Sequence, residues 1–122
     1  MKNLLILFLF FAALPVFSAR EYPEAYYQKQ WCERWNGKQE FLLKDSCRVD
    51  CLTKNYAVEF DFAPKWAEAV GQSLHYSIRT GKKPAIILIL ESKKDWVYYN
   101  RLKKICNAHG ITLWYMVSPD FH

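Results

Sequence analysis

The sequence has no internal repeat, no low-complexity tract and no linker, which excludes a solenoid and a string of domains. Its 122 residues leave room for one domain only. No apolar run reaches the roughly 20 residues that a bilayer-spanning helix needs. Cys47 and Cys51 stand four apart, but no tight Cys/His pair completes a set, so the usual spacing of a structural zinc site is missing. Acidic side chains are the scarcer sign, 12 against 17 Lys and Arg, for a net charge of +5. An excess of this size suits a polyanionic partner without requiring one.

What is present begins with the N-terminus. Met1-Lys2-Asn3 is short and positive, Leu4 to Leu14 is unbroken apolar sequence, and Pro15 ends it. Cleavage after Ser18 would put Val16 and Ser18 at the two positions that need small side chains. This layout predicts a signal peptide over residues 1–18 and a single domain over 19–122. That domain would be periplasmic or secreted, with no stable membrane association once the leader is removed. All four cysteines, Cys32, Cys47, Cys51 and Cys106, fall in the mature part. An even count in an exported chain reads as disulfides, with three pairings open. An oxidising compartment also weighs against catalytic thiol chemistry.

The periodicity predicts a series of elements. Tyr26, Tyr27, Trp31 and Trp35 step at helical spacing from Pro23 to a stop at Asn36-Gly37. Gln39 to Leu43, Cys47 to Thr53 and Tyr56 to Phe62 read as three strands joined by short turns, an antiparallel meander. Alternation puts Val49 with Cys51 on one face of the second strand and Arg48 with Asp50 on the other. On the third, Val58, Phe60 and Phe62 oppose Ala57, Glu59 and Asp61. Ala63-Pro64 opens a helix that runs to Thr80-Gly81. Pro84 to Leu90 is apolar throughout, the mark of a strand buried on both faces. Asp95 to Ala108 is a helix and Ile111 to Val117 a last strand. The order is α-β-β-β-α-β-α-β, an α/β fold with a mixed sheet flanked by helices.

The carboxylates carry the chemical interest. Glu59 and Asp61 project from one face of a strand, and a hairpin pairing would bring Asp50 beside them. Clustered carboxylates repel, and an all-oxygen set of this kind suits a hard divalent cation such as Mg²⁺ or Mn²⁺. With a basic group nearby, such an ion can activate water against a phosphodiester. Lys65 begins the following helix directly after these residues. Lys65, Ala69, Gln72 and Tyr76 share one face of that helix at steps of four, three and four, with Glu68 beside them. The bland alternative is a wet strand face and an ordinary polar helix surface. His75 reads as a surface residue before a general base, His109 as a helix-end residue, and His122 is terminal. The pairs Lys82-Lys83, Lys93-Lys94 and Lys103-Lys104 read as solvated lysines that a phosphate backbone could also use.

A helix-strand-strand-strand-helix-strand core with these residues resembles the PD-(D/E)xK, or restriction-endonuclease-like, nuclease superfamily. Arg48-Val49-Asp50 is similar to the segment bearing its first metal-binding Asp. Glu59-Phe60-Asp61 is similar to its acidic-x-Lys pair, and Gln72-Ser73-Leu74-His75-Tyr76 to its Gln-x-x-x-Tyr motif. The stretches Arg48 to Thr53 and Glu59 to Ala69 look like those of small bacterial proteins assigned to this superfamily. The resemblance implies Asp50 and Glu59 as metal ligands, assisted by Asp61 and by Glu24 on the first helix, with Glu33 a weaker candidate for that last place. It implies catalytic roles for Asp50, Glu59, Lys65, Gln72 and Tyr76, a Mg²⁺ cofactor, and DNA or RNA as partner. Asp61 stands where the family has its lysine. In some members that lysine migrates to the next helix, where Lys65 is; otherwise the domain has lost its catalytic cation and binds without cutting. Within such a fold Cys32 and Cys51 can bridge the first helix to the sheet, leaving Cys47 and Cys106 as a second pair or as free thiols. Besides a nuclease, the sequence admits a silent nucleic-acid- or protein-binding module and a purely structural cross-linked domain.

Overall fold

A computed structural model describes residues 20–122, so the leader expected over residues 1–18 lies outside the described part. The elements are α1 (Glu24–Arg34), β1 (Lys38–Leu42), β2 (Arg48–Leu52), β3 (Tyr56–Phe62), α2 (Trp66–Thr80), β4 (Lys83–Leu90), α3 (Trp96–His109) and β5 (Thr112–Val117). This is the order the periodicity implies. The five strands form one sheet in the order β1-β2-β3-β4-β5. β1, β2 and β3 are the expected antiparallel meander, and β4 and β5 extend the sheet in parallel. The described residues therefore form an α/β domain with a mixed five-stranded sheet and three α-helices.

β4, apolar from Pro84 onward, lies between β3 and β5 with both faces covered, and Ala85 to Leu90 are fully buried. Ala85, Ile87 and Ile89 join Val58, Phe60 and Phe62 beneath Tyr27 of α1. Ile86, Leu88 and Leu90 face the other way, against Ala69 of α2 and Leu102 and Cys106 of α3. Because Val58, Phe60 and Phe62 fill the α1 side, strand alternation turns Ala57, Glu59 and Asp61 toward α2.

Local signals set the boundaries. Pro64 lies in a 3₁₀ turn, Ala63–Lys65, so the helix expected from Ala63 becomes regular only at Trp66. α2 stops at Gly81, whose φ of 70° is the left-handed cap that glycine adopts freely. Before α3, the buried Asp95 accepts the N–H groups of Glu91 (2.7 Å) and Ser92 (3.3 Å), which makes it a structural carboxylate.

A disulfide joins Cys32 on α1 to Cys51 on β2, with Cα atoms 5.8 Å apart. Gly37 passes so close to this bridge that a Cβ there would collide with both sulfurs. Cys47 is exposed and Cys106 buried, and both are free, so the second pairing does not form. Among the described residues no helix is long and apolar enough to cross a membrane.

Candidate functional site

A break in the sheet builds the site. β2 pairs with β3 only at Cys51↔Val58 and Leu52↔Ala57. Beyond that point Asp50 replaces the ladder: its Oδ2 accepts the backbone N–H of Phe60 at 2.7 Å. Glu40 lies opposite Asp50, between the pairs Gln39↔Cys51 and Phe41↔Val49, and holds a φ of 48°. That is a strained conformation for a residue with a Cβ. These two irregularities undo the simple alternation expected for β2. Cys51 bonds to α1, whereas Val49, expected on the same face, packs with Leu43, Ala57 and Tyr76.

Asp50, Glu59 and Asp61 are all buried, with 8%, 3% and 6% of their surfaces exposed. Glu59 is the middle member, and both aspartates lie close enough to raise it. Ionised carboxylates only accept, so Glu59 Oε2 and Asp61 Oδ2 are buried without a donor. Burial, then the charges of Asp50 and Asp61, push Glu59 up to about 11. Asp50 is pushed up to about 7, chiefly by burial; the Phe60 N–H opposes the shift and Glu24 adds to it. Asp61 is pushed up to about 6, again by burial first, with Glu68 raising it and Lys65 lowering it. Left alone, the cluster keeps a proton on Glu59, which can then donate to either aspartate.

Around this cluster stand the other residues singled out in the sequence. The Tyr76 hydroxyl donates to Gln72 Oε1 at 3.0 Å. Burial and the nearby carboxylates Glu59 and Asp50 raise the Tyr76 phenol, so it stays protonated. Glu24, in the first turn of α1, is raised by burial and by Asp61, while Gln28 and Lys65 oppose the shift. Gln28 Nε2 donates to Glu24 Oε1 at 2.9 Å. Lys65 acts on both Asp61 and Glu24 through its charge, yet forms no ion pair within 4.0 Å among the described residues. Glu33 sits at the exposed end of α1, about 13 Å along the helix axis from Glu24 at the usual rise per residue, and takes no part.

The sequence reading missed two participants. Glu40 bears on Asp50 and Glu24, but it lies in a short strand-like run with no motif to mark it. Gln28 is buried one helical turn after Glu24, a spacing that was available as a signal. Two further residues singled out in the sequence have partners elsewhere. His75 turns to Asp45, at 2.7 Å, and not to the carboxylates. Lys82 spends its ammonium on the carbonyls of Thr53 (2.7 Å) and Lys54 (2.8 Å), so it braces two turns instead of reaching for phosphate.

The carboxylates here offer only oxygen, the donor type that hard cations take, and two of these oxygens are buried without a hydrogen-bond donor. In comparisons with protein-family models, curated proteins and solved structures, nothing matches this chain.

Proposed function

We propose that this protein is an exported, metal-dependent phosphodiesterase acting on nucleic acid, on a restriction-endonuclease-like core. The observation that carries this reading is the buried trio Asp50, Glu59 and Asp61, with two orphaned oxygens, set against the Tyr76 hydroxyl and within the field of Lys65. Burying three carboxylates together costs several kcal/mol unless positive charge or protons compensate. A site with no task for them would not need them.

Asp50 and Glu59 would hold Mg²⁺ or Mn²⁺, with Asp61 and Glu24 assisting. Such an ion would lower the pKa of a bound water, easing its conversion to the attacking hydroxide, and would place positive charge against the phosphate. The protein's own groups do the rest. Asp50 is fixed by the Phe60 N–H, which orients its other oxygen. Tyr76 stays a neutral phenol whose one proton is held by Gln72 Oε1, which leaves its oxygen to accept from a water; it could donate to a phosphate oxygen only by giving up that bond. Lys65 is exposed and unpaired among the described residues, so its ammonium is free to meet a phosphate or to orient the attacking water. It takes the role that the resemblance assigns to the residue at Asp61. The disulfide supports export, since such bonds persist in oxidising compartments.

The test is incubation with single- and double-stranded DNA and RNA, in Mg²⁺, Mn²⁺ or EDTA. Metal-dependent cleavage that is lost in Glu59→Ala is expected. Salt-sensitive binding without cleavage would instead make the domain a silent binding module, as Asp61 in the lysine position would favour. No cleavage and no binding would remove nucleic acid from the account.

A further inference from the structure

A second cluster lies outside the acidic site. Asp45, Cys47 and His75 each offer one ligand atom, and these atoms lie within 4.8 Å of one another. Two come from the β1–β2 turn and the third from α2. The turn is held by Leu43 N–H to Cys47 O (2.8 Å) and Ser46 N–H to Leu43 O (3.0 Å), with Ser46 at φ 71°. The Cys47 N–H also donates to Asp45 Oδ1 at 3.0 Å, which fixes the carboxylate and leaves Oδ2 pointing at His75. His75 stands beside the buried Tyr76, with ring centroids 6.2 Å apart. An Asp–His ion pair alone would not need a thiol beside it. Arg79 Nε, 3.5 Å from Asp45 Oδ2, is the one competing cation among the described residues.

We propose that Asp45, Cys47 and His75 form a second metal site, for a borderline-soft divalent ion such as Zn²⁺. One thiolate, one imidazole and one carboxylate suit zinc and disfavour Mg²⁺. Binding displaces the Cys47 thiol proton and any proton on His75 Nε2, and Arg79 yields the carboxylate. Three protein ligands leave a fourth position for water. The ion ties the β1–β2 turn to α2, next to Tyr76, and shields an exposed thiol from oxidation. The sequence hid this site because His75 is 28 residues beyond Cys47. It does not depend on the nuclease reading.

The experiment is a calorimetric titration of chelator-treated protein with Zn²⁺ after thiol counting shows Cys47 reduced, followed by Co²⁺ absorption spectroscopy. Expected are one Zn²⁺ per chain, no competition from excess Mg²⁺, and a thiolate-to-cobalt charge-transfer band. Cys47→Ser and His75→Ala should each weaken binding at least about tenfold, since even outer-sphere changes cost that much. Arg79→Gln should tighten it, and Glu59→Gln should leave it unchanged. Absence of stoichiometric binding, or affinity that is indifferent to both Cys47→Ser and His75→Ala, overturns the site. Loss of Zn²⁺ binding in Glu59→Gln would move the ion to the acidic cluster and overturn it equally.

Discussion

Replacing Glu59 by Gln should stabilise the metal-free protein at neutral pH, and the size of the gain follows from proton linkage. An unfolded glutamate releases its proton near its ordinary 4.5, whereas buried Glu59 is pushed up to about 11 and keeps it. Between these values the folded state binds more protons than the unfolded state, so stability falls as pH rises. Below 4.5 both states carry the proton and there is no penalty. At pH 7, two and a half units above the ordinary value, the cost is about 3 kcal/mol at 1.36 kcal/mol per unit. This figure holds wherever the folded value lies, provided it is above 7. Glutamine keeps the shape, never ionises and can donate to Asp50 and Asp61. For a domain of this size the melting temperature at pH 7 in EDTA should rise by at least about 10 °C. Near pH 4 the variant and the wild type should melt together. Equal melting at both pH values, or a variant that is weaker at pH 7, would refute the argument that Glu59 is buried beside two other acids.

Three further outcomes are expected. Removing the Cys32–Cys51 bridge, which links residues 19 apart, should cost about 3 kcal/mol in urea unfolding, because it constrains the unfolded chain. Gly37→Ala forces a methyl group onto the two sulfurs and should cost about 1–3 kcal/mol by the same measurement. Lys65→Ala should leave the melting temperature within about 2 °C, as an exposed lysine without an ion pair contributes little, while cutting phosphodiester cleavage at least about a hundredfold.

Much of the architecture was legible. The apolar run Pro84 to Leu90 announced a strand covered on both faces, and Gly81 announced a helix end, where it takes the left-handed conformation. Alternation along β3 placed Glu59 and Asp61 together, because that strand is regular. It failed on β2, where the Asp50 side chain takes a backbone N–H from β3 and Glu40 twists its partner strand. No two-residue periodicity contains such a break. The same failure hid Glu40, whose relevance comes from lying across from Asp50. Asp45, Cys47 and His75 were separately visible, but their meeting depends on how α2 lies over the β1–β2 turn, which is a tertiary fact.

The most direct measurement is Mn²⁺ binding at pH 7, followed by electron paramagnetic resonance with Mg²⁺ as competitor. Mn²⁺ should bind in a Mg²⁺-sensitive manner, fail to bind in Asp50→Asn and Glu59→Gln, and bind undiminished in Cys47→Ser. Binding that survives both carboxylate substitutions, or no binding to the wild type, would contradict the claim that these buried acids are held together for a divalent cation.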